Sequence, residues 1–278
     1  MRKTKFLLVL LTVLSVCSLC SCANHSKETK IKKEMIFGQD LLDANVVVPS
    51  EYPEVKLSIP FACTEKGKQK MSLKKVEGDN ILIDEIKAED FSNDEFRDIN
   101  YHGYYLNIFG MTITPRVKKS FTIHSITVEV SGQEKKLDFA KDLSFDFIEE
   151  NKDLDGSAIS DVVLADSQYD LSYKLKAKTD IKKISYSVTD PYSIEDVRFM
   201  TDKNEVESEP KNMKKGDSLI ADITVSLPED KKHIWCRNNV VVNYVTKDNK
   251  QKKYYFLLMK QGVGEEEDVE EVLKLLIK

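Results

Sequence analysis

Apolar residues at every second position constrain this chain more than any other feature. Val55, Leu57 and Ile59 alternate with Lys56 and Ser58, and Ile126, Val128 and Val130 alternate with Thr127 and Glu129. Leu171, Tyr173, Leu175 and Ala177 are separated by Ser172, Lys174 and Lys176, and Leu219, Ala221, Ile223, Val225 and Leu227 form the longest run. A β-strand points successive side chains to opposite faces, so a period of two describes a strand buried on one side and wet on the other. Turn signals punctuate the runs: Glu77-Gly78-Asp79-Asn80, Ser131-Gly132, Thr189-Asp190-Pro191, Lys215-Gly216-Asp217 and Asp248-Asn249. No strand-helix-strand rhythm appears, which argues against a parallel nucleotide-binding sheet.

The alternation also repeats at longer range. Val55, Leu57 and Ile59 match Leu171, Tyr173 and Leu175 at an offset of about 116 residues. The segments 126–139 and 241–256 share one order: apolar strand, polar turn, Lys-Lys pair, aromatic strand. Each unit is about 105–115 residues, the size of an immunoglobulin-like sandwich. The chain is therefore expected to be all-β, with two tandem immunoglobulin-like β-sandwich domains over 41–149 and 150–263. Beyond these, Val269, Val272, Leu273, Leu276 and Ile277 fall at helical spacing, with acids at the start of the segment and Lys274 and Lys278 near its end. That polarity suits the helix dipole. It predicts a short amphipathic C-terminal helix over 264–278, expected to pack on the second sandwich.

The first residues have another character. Arg2, Lys3 and Lys5 precede an apolar run from Phe6 to Cys20, too short to span a membrane and suited to a signal peptide over 1–21. Leu19-Cys20-Ser21-Cys22 ends it. This tetrad resembles the lipobox of bacterial lipoproteins: an aliphatic residue, two small residues, then the cysteine that is lipidated. Cys20 departs from the usual Ala, Ser or Thr. The resemblance implies lipidation of Cys22 and a mature chain anchored on the extracytoplasmic face of the cell membrane. A two-chain lipid anchor holds a protein there stably. Residues 22–40 then follow as lipidated cysteine and polar tether.

Candidate chemistry is sparse. With 42 Lys+Arg against 47 Asp+Glu, the net charge of −5 excludes a generally basic nucleic-acid binder. The stretch from Asn151 to Asp161 places Asn151, Asp153, Asp155 and Asp161 around Gly156. Its alternating oxygens resemble the first half of a calcium loop of the EF-hand or dockerin kind, and the resemblance implies calcium as a cofactor. Val162 stands where the closing Glu of such a loop belongs, so a solvated acidic linker is the alternative. Tyr101, His102 and Tyr104 lie in the densest aromatic cluster, a platform for a sugar or protein partner or, alternatively, strand packing. His233 with Trp235 is a smaller candidate of the same kind. Cys63 and Cys236 read as buried free thiols, although an interdomain bridge stays open.

No His pair has metal spacing, and no nucleophile elbow or phosphate-cradling Gly loop occurs, so no catalytic residue is assigned. The expectation is a membrane-anchored extracytoplasmic lipoprotein, a non-catalytic binding or structural module for a protein or glycan partner. The alternative is an extracytoplasmic hydrolase whose site is assembled from dispersed acids.

Overall fold

The alternating runs form strands. The computed structural model describes residues 34–49, 54–67, 69–91, 98–116, 119–149, 151–159, 168–201, 206–207, 211–260, 263 and 266–278. In the N-terminal half lie β1 (Met35–Phe37), β2 (Leu42–Pro49), β3 (Val55–Cys63), β4 (Met71–Glu77), β5 (Ile83–Phe91), β6 (Asn100–Tyr101), β7 (Tyr104–Pro115), β8 (Phe121–Val130) and β9 (Gln133–Ile148). The C-terminal half holds β10 (Leu154–Ala158), β11 (Gln168–Ala177), β12 (Ile181–Val188), β13 (Ser193–Thr201), β14 (Val206–Glu207), β15 (Lys211–Met213), β16 (Ser218–Ser226), β17 (Trp235–Thr246) and β18 (Gln251–Lys260). One helix, α1 (Glu266–Ile277), follows.

Two hydrophobic cores form between facing sheets. In the first, residues of the β1-β3-β7-β5 sheet, such as Leu57, Phe61, Phe109 and Met111, meet Val46, Ile123, Val128 and Phe145 from β2, β8 and β9. In the second, Tyr173, Leu175, Ala221 and Ile223 from the β10-β11-β16-β13-β14 sheet meet Ile184, Val240, Val242 and Phe256. The longest run, β16, alternates half-buried and buried along its whole length, as a strand with one core face must. The architecture is thus all-β: two immunoglobulin-like sandwiches with a short C-terminal helix. Cys63 and Cys236 are both buried, and no disulfide joins them. Burial in apolar surroundings pushes the Cys236 thiol up to about 12.

The sandwiches share a sheet. Strands run β15-β12-β17-β2-β9-β8-β4, with β18 on the other edge of β17. The link is parallel: Trp235, Cys236 and Arg237 of β17 pair with Leu42, Asp43 and Ala44 of β2, after which β2 passes to β9 through Asn45–Pro49. Where β2 leaves β17, its backbone would lose partners, and two fully buried amides replace them. Val47 N–H donates to Asn239 Oδ1 at 2.6 Å, and Asn239 Nδ2 donates back to Val47 O at 2.9 Å. Asn45 N–H donates to Asn238 Oδ1 at 3.3 Å, while Asn238 Nδ2 donates to Asp190 O at 2.7 Å. A side-chain amide carries the same donor and acceptor as a peptide group, so these residues extend the ladder sideways.

The helix crosses to the other sandwich. Val269, Val272 and Leu273 are fully buried in the first core, against β6, β7, β3 and β1, not in the second core that the sequence suggested. The reason is unsatisfied apolar surface on the first sandwich, which Val263 and Trp235 also help to cover. Gly38 permits the close approach: a Cβ there would stand 2.6 Å from Leu276 Cδ2 and 3.0 Å from Pro60 Cγ. Met35–Lys278 accordingly behaves as one compact unit with two cores.

Candidate functional site

The aromatic cluster becomes a hairpin. His102 and Gly103, with φ of +50° and +81°, make the two-residue turn between β6 and β7. The turn pairs Tyr101 directly with Tyr104, and cross-strand partners share a face. Both rings are half-buried against the first core, whereas His102 is exposed. The Lys274 ammonium of α1 lies 5.5 Å from the Tyr101 ring centroid, and the His102 ring stacks edge-on to Tyr101 at 4.2 Å. Tyr101 is therefore a floor for the helix.

The acidic stretch divides. Asn151 Oδ1 accepts the backbone N–H groups of Asp153 and Leu154, both at 2.9 Å. Asn151 Nδ2 donates to the Tyr244 hydroxyl at 2.9 Å, and that hydroxyl donates to Asp153 Oδ2 at 3.1 Å. Lys252 also pairs with Asp153. Burial and the Asp153 charge push the Tyr244 hydroxyl well above the ordinary tyrosine range. Asp155, on β10, instead faces Lys178 at 3.8 Å, so the turn before β10 brings Asn151 and Asp153 together and leaves Asp155 apart. Asp161 and Cys22 lie outside the described residues.

A constellation that sequence reasoning missed sits where α1 meets the approach to β17. His233 Nε2 lies 2.7 Å from Glu271 Oε2, and its Nδ1 lies 4.0 Å from Asp268 Oδ1. Asp268, only 5% exposed, also accepts from Lys232 Nζ at 3.3 Å. The Asp268 carboxylate raises the Lys232 ammonium above the ordinary lysine value. One imidazole and two carboxylates with all ligand atoms within 4.8 Å are a donor set that could hold a divalent ion. Together with the Lys232–Asp268 ion pair, the His233–Glu271 hydrogen bond clasps α1 to the approach to β17. The sequence offered His233 only as a partner of Trp235; its acidic partner Glu271 lies 38 residues away, so nothing local joined them.

His124 forms a second imidazole cluster on the wet face of β8. Its Nδ1 lies 2.7 Å from Asp142 and its Nε2 3.2 Å from Asp79. A carboxylate at each ring nitrogen favours the doubly protonated ring, and Asp142 foremost raises the imidazole above its ordinary value. Nearby, Lys75, Lys136 and Ser125 hold Glu77 down at about 2.

The hydrolase alternative singles out no particular acids; several acids line the wet face of the β11-β16-β13 sheet. Asp222 accepts from Ser172, Asp170 from Thr224, and Asp196 from Arg198 at 2.8 Å. The opposite sheet of the same sandwich carries an open recess of about 440 Å³, lined by Lys183, Ser185, Asn243, Val245, Gln251 and Lys253 among others. A second recess, about 860 Å³, lies at an end of the first sandwich beside Ile81, Leu82, Lys119 and Phe147.

No protein-family model matches the chain, and no curated protein matches it. Among solved structures it is similar to the C-terminal domain of the AgI/II polypeptide BspA of Streptococcus agalactiae, with 7% identity over 82% of this chain and 99% of that one, TM-score 0.24. It is similar to the collagen adhesin CNA of S. aureus, with 8% identity over 82% and 92% of the two chains, TM-score 0.27. It is also similar to BcpA, the major pilin subunit of Bacillus cereus, with 8% identity over 83% and 69%, TM-score 0.30. Likeness of this degree assigns no ligand or partner.

Proposed function

We propose that this chain is a lipid-anchored, extracytoplasmic module that binds a protein or glycan partner without chemistry of its own. The lipobox-like Leu19-Cys20-Ser21-Cys22 supports the anchor, with Cys22 as the lipidated residue. The observation that carries the binding role is the wet face of β12, β17 and β18. There a shallow recess of about 440 Å³ presents hydroxyl, amide and ammonium groups from Ser185, Asn243, Gln251 and Lys253 on paired strands. Such groups donate and accept hydrogen bonds to an extended polar partner, and the strands fix their spacing.

Two measurements test the proposal. Mass spectrometry of the mature N-terminus should find a lipidated Cys22; an unmodified Ala23 or Asn24 would remove the anchor. Co-purification from detergent-solubilised membranes should yield a partner that the combined Asn243→Asp, Lys253→Glu variant loses. Retention of the same partner at wild-type level would refute this face.

A further inference from the structure

The strand face where the two sandwiches meet carries two hydrogen-bond donors, the Trp235 indole and the Arg237 guanidinium, that no acceptor among the described residues engages. Trp235 and Arg237 lie two residues apart on β17, in unbroken register with Leu42 and Ala44 of β2. Paired residues of a parallel ladder share a face, and Trp235, Leu42 and Ala44 all belong to the first core. Arg237 therefore projects to that side too, about 6.6 Å along the strand from Trp235. The indole Nε1–H of Trp235 is sealed from solvent and has no hydrogen-bond partner among the described residues. Arg237 is half-buried, and among the described residues no hydrogen bond or ion pair reaches its guanidinium. Desolvation alone, unopposed by any anion, depresses its pKa to about 10. The carboxylate closest in register, Asp43, pairs with Cys236, projects to the opposite face, and is held by Lys141 at 3.1 Å.

This arrangement is unusual in a native protein. Buried polar groups find partners, and a desolvated cation without a counter-charge is among the costliest exceptions. The rest of the joint obeys that rule: Asn238 and Asn239, the next residues along β17, have both ends of their amides engaged. Among the described residues, none supplies Arg237 with an acceptor bearing negative charge.

We infer that Arg237, with the Trp235 N–H behind it, marks an oxyanion-binding site at the joint between the sandwiches. A carboxylate or phosphate group would take the guanidinium fork in two parallel hydrogen bonds. Its charge would also stabilise the indole dipole through a low-dielectric path. The group can come from a small solute or from a partner's acidic side chain. The site is separate from the sheet-face recess proposed above, so either can fail alone.

Trp235 is the only tryptophan in the chain, so its emission reports on the site directly. The anchored-domain protein is titrated with inorganic phosphate, sulfate or acetate at constant ionic strength, with chloride as the control. A saturable change in emission is expected for at least one oxyanion. Arg237→Met should weaken it at least tenfold, and Arg237→Lys, which keeps the charge but loses the fork, should weaken it several-fold. Phosphate saturating where acetate does not selects a tetrahedral ligand, and the reverse selects a carboxylate; either supports the site. Thermal melting confirms that the variants fold, and Lys alone suffices if Met does not. No saturable response in the wild type, or affinity retained within twofold in the folded variants, would overturn the inference.

Discussion

Asn239→Leu should uncouple the sandwiches while changing side-chain volume little. Asn239 is fully buried, and its amide makes three contacts: Val47 N–H at 2.6 Å, Val47 O at 2.9 Å and Phe256 O at 3.3 Å. Leucine leaves the Val47 donor and acceptor without partners. Each orphaned buried group costs about 1–3 kcal/mol. Val47 is itself half-buried, so water recovers part of the loss and the lower half of that range applies. The net cost expected is about 2–4 kcal/mol. Urea unfolding followed by Trp235 emission and by far-ultraviolet circular dichroism measures it. Trp235 sits in the first core at the joint, so the two probes should coincide in the wild type and separate in the variant. Asn243→Leu, whose amide donates to Ser187 Oγ on the wet face, is the control and should stay within about 0.5 kcal/mol. If Asn239→Leu matches that control, the amide bridge does not hold the joint.

Other perturbations separate the remaining devices. Leu273→Ala, at a fully buried helix position, should destabilise the protein by about 2–4 kcal/mol in the same unfolding assay, whereas Leu275→Ala, 40% exposed, should change little. The folded state raises the pKa of His124, so its stabilisation is complete below the unfolded value of about 6.5 and fades as pH climbs through the folded one. His124→Gln should flatten the alkaline-side decline of a melting-temperature profile beginning there. Glu77 behaves oppositely: its pKa is held down at about 2, so its contribution is present above the ordinary 4.5 and is lost as pH falls towards 2. Glu77→Gln should remove that part of the acid limb.

Local pattern determined most of what could be read from the residues. The β16 run alternates inward and outward because nothing interrupts its pairing with β11 and β13 until a shift beside Ile194. Turn residues at Ser131, Gly132, Gly216 and Asn249 take positive φ, as their composition foretold. Even the β8 irregularity leaves a trace: buried apolar residues change from odd positions, Phe121 and Ile123, to even ones, Ile126 and Val128. Between them His124 faces the four-residue excursion Phe139–Asp142 of β9. The joint had no such trace. Asn238 and Asn239 look like polar interruptions of a strand, and their partners lie more than 190 residues away on β2. Parallel pairing between distant strands carries no turn to announce it. The helix was legible as a helix because its stripe is periodic. Its partner was not, because an apolar stripe specifies burial without saying against what.

That distant pairing decides what the two sandwiches can do together. Tandem modules joined only by a linker reorient freely, and relative motion is the default. Here rotation would have to break the Trp235–Arg237 pairing with β2, withdraw Trp235 from the first core, and open the Lys232–Asp268 and His233–Glu271 clasp. Each device ties the second sandwich, at a different point, to the first sandwich or to the helix packed on it, so no single bond serves as a hinge. A partner meeting the wet face of β12, β17 and β18 therefore encounters groups already fixed relative to the first sandwich. Binding then carries no ordering cost between the two bodies, which favours affinity at a broad polar face where burial supplies little. The guanidinium of Arg237, unpaired among the described residues, lies within that same joint, so an oxyanion bound there would brace both sandwiches at once.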